Sequence, residues 1–178
     1  TSKTSGTSQS LRGITYGKST FVAVGDSGTI LTSSDGTTWI SRITGSTYFH
    51  GITYGNSTFV AVGDSGTIIT SSDGIAWTSK TSGTSQSLRG ITYGNSQFVT
   101  VGVGGVGLAS SNLTIWNSLN TGISQAGVNF QGMGITFGEN QFIAVSYYSN
   151  ILSTKDGTNW TVTHSNKWFD LYGITYKE

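Results

Sequence analysis

Gly13-Ile14-Thr15-Tyr16-Gly17, then Phe21-Val22-Ala23-Val24-Gly25, then Ser34-Asp35-Gly36-Thr37-Thr38-Trp39 form one unit that the chain repeats. GITYG returns at 51–55 and 90–94, GITFG at 134–138 and GITY at 173–176. The leading glycines are Gly13, Gly51, Gly90, Gly134 and Gly173, spaced 38, 39, 44 and 39 residues apart. In every complete unit the tryptophan (Trp39, Trp77, Trp116, Trp160) lies 26 residues after the leading glycine. All length variation therefore falls in the connection from Trp to the next Gly. A rigid unit with one tolerant loop is the signature of a repeat array. Residues 1–17 are identical to 78–94, so duplication has been recent.

Each unit reads as four short strands. The first is Leu11 to Tyr16, closed by a turn at Gly17-Lys18-Ser19 whose Gly and Asn counterparts tolerate positive φ. The second is Phe21 to Gly25, and Asp26-Ser27-Gly28 turns the chain into the third, Thr29 to Ser33. Asp35-Gly36 makes the last turn, and Trp39 opens the fourth strand. Phe-Val-Ala-Val is apolar on both faces, which a sheet wet on one side would not be. The pattern predicts sheets sandwiched between neighbouring sheets, as in a propeller. A solenoid fits less well, because each unit carries three hairpin turns. The units run approximately 13–50, 51–89, 90–133 and 134–172, with 1–12 and 173–178 as partial flanking units of a single repeat domain.

The turn before each tryptophan resembles the Asp box, loosely Ser-x-Asp-Gly-x-x-Trp. It recurs as Ser71-Ser72-Asp73-Gly74-Ile75-Ala76-Trp77 and as Thr154-Lys155-Asp156-Gly157-Thr158-Asn159-Trp160. The third copy, Ser110-Ser111-Asn112-Leu113-Thr114-Ile115-Trp116, loses the glycine. The resemblance covers almost the whole chain and implies a β-propeller of four-stranded antiparallel blades, four- or five-bladed. Asp-box repeats occur in sialidases, lectins, sortilin-like receptors and photosystem assembly factors, so they fix no single function. The implied roles are structural. The Asp pins the hairpin through backbone N–H groups, the Gly supplies positive φ, and the Trp packs against the next blade.

Composition narrows the function. The 178 residues contain 26 Gly and no Pro or Cys, and only 10% are charged, with a net charge of +1. Lys and Arg form no run, which disfavours nucleic acid as a partner. No stretch is apolar for the length a membrane helix needs, so no membrane insertion is expected. Without Cys there is no thiolate nucleophile and no Cys-bound metal. His50 and His164 stand as lone histidines, so no metal and no cofactor is expected. Val101 to Gly107 has GxGxxG-like spacing, but inside a hairpin, which excludes the dinucleotide reading. A sialidase needs three convergent arginines and a Tyr–Glu pair. Here Arg12 and Arg89 are copies of one position, Arg42 sits elsewhere, and the only glutamates are Glu139 and Glu178. No catalytic residue is assigned, and a glycosidase-like fragment is the least favoured reading. Asn56, Asn112 and Asn159 head formal glycosylation sequons, which arise easily in so Asn/Thr-rich a chain.

The residue before each leading glycine varies among fixed neighbours: Arg12, His50, Arg89, Met133 and Tyr172. A variable position in the channel-lining strand is where such a fold would carry specificity. Tyr147, Tyr148 and Trp168 add aromatics suited to stacking on sugars. The expectation is a non-enzymatic, extracellular or cell-surface binding module for glycans or a surface protein. The alternative is a structural segment of a surface protein, phage fibre or filament, a homo-oligomer assembling through terminal strands. Thr1 to Ser5 would supply a fourth strand and Phe169 to Tyr176 a first strand. Thr1 rather than Met opens the sequence, which fits a processed chain or part of a longer one.

Overall fold

A computed structural model of the chain describes residues 4–42, 45–119, 131–163 and 170–176, except the side chains of Tyr148 and Thr163. The described residues form four antiparallel four-stranded sheets, one per repeat. Blade 1 comprises β1 (Leu11–Gly17), β2 (Thr20–Gly25), β3 (Ile30–Ser33) and β4 (Ile40–Ser41). Blade 2 comprises β5 (Phe49–Gly55), β6 (Thr58–Gly63), β7 (Ile68–Ser71) and β8 (Thr78–Lys80). Blade 3 comprises β9 (Leu88–Gly94), β10 (Gln97–Gly102), β11 (Gly107–Ser110) and β12 (Asn117–Ser118). Blade 4 comprises β13 (Gly132–Gly138), β14 (Gln141–Ser146), β15 (Ile151–Thr154) and β16 (Thr161–Thr163). The fourth strand begins just after the tryptophan, not at it.

First strands are innermost: β1 packs on β5, β5 on β9 and β9 on β13. The core consists of three apolar clusters, each shared between two consecutive blades. Val22, Val24 and Ile30 of blade 1 meet Ile52, Phe59 and Ile69 of blade 2. The same positions recur between blades 2 and 3; between blades 3 and 4, Gly107 stands at the place of Ile30 and Ala109 joins the cluster instead. Burial on both faces explains the unbroken Phe-Val-Ala-Val run. Trp77, Trp116 and Trp160 belong to the clusters that their own blades share with the preceding blade. The expectation that each Trp packs against the next blade is corrected accordingly.

Two turns behave differently from the sequence expectation. In the β1–β2 hairpin the left-handed residues are Lys18 and Ser19, with Asn56-Ser57, Asn95-Ser96 and Glu139-Asn140 as counterparts. Gly17 is not needed for its φ. A Cβ there would lie 2.1 Å from the Tyr54 ring of the next blade, so glycine makes room for an aromatic knob. Gly55 receives Tyr93, Gly94 receives Phe137 and Gly138 receives Tyr176 in the same way. Tyr54, Tyr93 and Phe137 also tilt against a phenylalanine of their own second strands, Phe59, Phe98 and Phe142, at 4.6 to 4.7 Å.

Among the described residues, 4–10 and 170–176 form no strands. Residues 1–3 lie outside the described residues, and Thr4 and Ser5 carry no strand pairing. Phe169 lies outside them too, and 170–176 make no ladder. Gly173 nevertheless packs on Gly134, and Tyr176 fills the notch at Gly138. The trailing residues thus sit as an inner strand beside β13 without β-partners of their own.

Candidate functional site

In the four complete blades the variable residue before the leading glycine is the extra residue of a β-bulge. Leu11 pairs with Gly25 and Gly13 with Val24, leaving Arg12 unpaired between them. The same shift brackets His50, Arg89 and Met133. A bulge interrupts the ladder and re-aims its side chain, which is why this position is free to vary. Facing it at the same blade end is a single 3-10 turn, Asp26–Gly28 in blade 1, with Ser27 at φ 54°. That turn is tied to the entering chain, since Asp26 N donates to Ser10 O at 3.0 Å and Asp64 N to Tyr48 O at 3.0 Å.

Bulge and turn together place charges side by side. Arg12 forms an ion pair with Asp26, and its Nη2 donates to Asp26 Oδ2 at 3.1 Å. The arginine holds the Asp26 carboxyl below its usual range, and the carboxylate raises Arg12 in turn. His50 Nε2 lies 2.7 Å from Asp64 Oδ1, and Arg89 Nη1 lies 3.4 Å from His50 Nδ1. Guanidinium can only donate, so Nδ1 accepts and Nε2–H donates to Asp64: the neutral tautomer fits. Burial lowers the His50 pKa, against the opposing pull of Asp64. Burial would raise Asp64, but hydrogen bonds from His50 and Ser87 and the Arg89 charge leave it lowered. His50 is therefore no lone histidine.

Arg89 differs from Arg12, its duplicate. Blade 3 has Val103 where blades 1 and 2 have Asp26 and Asp64, so Arg89 lacks a carboxylate in its own turn. Its Nε is buried without a hydrogen-bond partner. In blade 4 the turn position is Tyr147, whose ring meets Tyr172 edge-on at 5.8 Å. Tyr172 is exposed, with its hydroxyl 3.5 Å from Asp170 Oδ2, and the Asp170 charge raises its pKa. Met133 is half-buried at its bulge. The face thus runs from charged pairs in blades 1 and 2, through Arg89 and Met133, to an aromatic pair. Asp26 and Asp64 were read from sequence only as turn residues. The signal was their fixed place 14 residues after Arg12 and His50. Trp168 and His164 lie outside the described residues, as does the Tyr148 side chain.

The Asp-box positions do something else. Gly36 N donates to Ser33 Oγ at 2.9 Å, while Thr37 N and Thr38 N both donate to Asp35 Oδ1 at 2.8 Å. Asp73 and Asp156 accept the corresponding pair of N–H groups, and so does the Asn112 amide oxygen. Backbone donors hold the carboxyls of Asp35, Asp73 and Asp156 well below the usual range. Gly36, Gly74 and Gly157 take φ 70°, 77° and 76°, and Leu113 is forced to 61° in the third copy. A carboxylate consumed by its own turn is a staple rather than a ligand group.

Two other features bear on chemistry. A shallow cleft of about 470 Å³ between Ser65–Ile68 and residues 79–85 is lined by Ser, Thr, Gly, Ile68 and Lys80 and contains no aromatic platform. Among the described residues no group of three His, Asp or Glu could hold a metal.

No family model and no curated protein matches this sequence. Solved structures do. YCF48 bound to D1 peptide is 17% identical over 95% of this chain and 58% of that one, at a TM-score of 0.71. YCF48 from Cyanidioschyzon merolae is 18% identical over 96% of this chain and 61% of that one, at 0.71. Virginiamycin B lyase from Staphylococcus aureus is 11% identical over 92% of this chain and 58% of that one, at 0.78. The fold class is that of the β-propellers, here as four blades. The chain spans about three-fifths of the length of these structures, which cover 58% to 61% of themselves in the match.

Proposed function

We propose that this chain is a non-catalytic binding propeller whose ligand face is the row of bulges and turns from Arg12 to Tyr172. One observation carries the reading. Arg89 is a cation without a carboxylate in its own turn, with a buried unpartnered Nε, one blade from the Tyr147–Tyr172 pair. A cation beside aromatic rings suits an acidic carbohydrate. The guanidinium takes the carboxylate in a fork, and a tyrosine face takes the sugar ring. The hydroxyl-lined cleft at Ser79 to Ser85 supports this less, because it has no ring to stack on. Such glycans are borne on cell surfaces, so the module is assigned to the extracellular side. The Ser/Thr–Asp/Asn staple in all four blades supports placing the repeats with the Asp-box propellers.

A neighbour of this fold was solved with a peptide bound, which makes a carboxylate-bearing peptide the second reading. An array of neutral and acidic glycans tests the first. Acidic glycans should bind, and Arg89→Ala and Tyr172→Ala should each weaken binding at least tenfold. An array without hits would sink the carbohydrate reading. Fluorogenic glycosides and sialosides should not be turned over.

A further inference from the structure

The flank that β5, β9 and β13 each press against the preceding blade is uncovered in β1. Ile14 is 61% exposed, against 8%, 7% and 8% for Ile52, Ile91 and Ile135. Leu11 is 43% exposed where Leu88 is 0%, and Tyr16 is 56% exposed. Behind them Ala23 and Leu31 are buried, so the open surface is the inner strand itself. Across the chain, the matching acceptor is the far flank of β13, where a notch at Gly138 holds the Tyr176 ring.

The occupant of that notch is Gly173-Ile174-Thr175-Tyr176, identical to Gly13-Ile14-Thr15-Tyr16. It is held without a ladder, and the Tyr176 hydroxyl donates to Glu139 Oε1 at 2.8 Å. A strand that lacks β-partners is a weak competitor for a site built to take a whole blade. The trailing copy also cannot pass the array on. Every complete unit follows its aromatic with the receiving glycine, at Gly17, Gly55, Gly94 and Gly138, but the trailing one has Lys177.

We propose that a second copy of this chain docks head to tail, seating β1 on β13 in the place of residues 173–176. Ile14 then fills the position of Ile174, Tyr16 enters the Gly138 notch, and the trailing residues are displaced. Three internal interfaces already show that these surfaces fit. The contact is heterologous, so each copy keeps one free end, and growth continues until a ring closes. The trailing strand acts as a tethered competitor whose high effective concentration holds association back. Docking brings in Arg12 and displaces the strand next to Tyr172 but leaves Arg89 in place, so Arg89→Ala that loses glycan binding yet still associates, and Tyr16→Ser that does the reverse, tell the two readings apart.

Sedimentation velocity over a concentration series tests it on the full chain, with circular dichroism confirming folding. Tyr176→Ser loosens the tethered strand and should lower the concentration at which twice the 18.7 kDa mass forms. Adding Tyr16→Ser, at a side chain exposed in the single copy, should abolish that association. Ile14→Asp and Gly138→Val, each in the Tyr176→Ser background, should stay monomeric alone and pair one-to-one when mixed, each supplying the surface the other lacks. A Tyr176→Ser chain that stays monomeric at every concentration overturns the proposal. So does association that survives Tyr16→Ser.

Discussion

At the scale of single residues, the stapled carboxylates and one half-buried histidine set the acid response. Asp35, Asp73 and Asp156 are stapled by N–H donors, and their pKa values fall below the unfolded value. A group depressed in the folded state stabilises the fold above its unfolded pKa and loses that contribution as pH falls through the folded one. Stability should therefore drop below about pH 4, the unfolded carboxylate range. Asn at all three positions should flatten that drop, as read by urea titrations at pH 5 and pH 2.5. His50 moves its window higher. Burial lowers its pKa, with Arg89 and Arg12 adding to the fall and Asp64 opposing it. Its contribution is complete above about pH 6.5 and declines below it as the unfolded histidine takes up a proton. His50→Asn should reduce the slope of stability between pH 7 and 5, and below pH 4 should remove only the share that His50 lends to lowering Asp64. The β1–β2 turns offer a gain. Ser19 and Ser57 sit at φ 57° and 58° in two-residue hairpins, where glycine is unstrained. Ser19→Gly and Ser57→Gly should each stabilise by about 1 kcal/mol in thermal or urea unfolding.

At the scale of elements, the blade-to-blade contact is an aromatic knob on a glycine. A Cβ at Gly55 would lie 2.1 Å from the Tyr93 ring, which is held from behind by Phe98 at 4.7 Å. The ring cannot retreat, so Gly55→Ala should cost about 3 kcal/mol or more through overpacking. Gly173→Ala is the control, because nothing lies within 4 Å of its Cβ and its stability should stay within about 0.5 kcal/mol of the parent. This contact also marks what the sequence could and could not reveal. GITYG fixed strand, turn and repeat, because a two-residue turn and alternating apolar residues are local properties. The purpose of its last glycine lies in a residue about 38 positions away, so from sequence it looked like a turn glycine. The tryptophans were misjudged for the same reason. Their spacing gives the strand, while the side of the sheet they cover depends on twist and on which neighbour is present. The bulge was legible only as variability. That Arg12, His50 and Arg89 share one blade end with Asp26 and Asp64 needed the register shift between Leu11 and Gly13 and its copies.

At the scale of the molecule, stability should follow blade position rather than blade sequence. The apolar clusters lie between blades, so each internal blade is held by two of them and blade 1 by one. Arrays of this kind behave as a chain of units with nearest-neighbour coupling, and openings start where a neighbour is missing. Blades 1 and 2 make the comparison clean. Both contain the segments GITYG, TFVAVGDSGTI and SSDG, so local propensity is nearly the same. Packing is not: Phe59 is fully buried while its counterpart Phe21 is half-buried, and Ile14 is exposed while Ile52 is not. Amide hydrogen exchange at low protein concentration, where copies stay apart, should show the β2–β3 amides of blade 1 exchanging well before those of β6–β7. The order should follow neighbours, with blades 2 and 3 the most protected. Equal protection of the two nearly identical blades would mean that stability resides within each sheet, and that the interblade clusters contribute little. Raising the concentration of a Tyr176→Ser chain should then slow exchange in β1 and β2 selectively, since a docked second copy would supply the neighbour that blade 1 lacks.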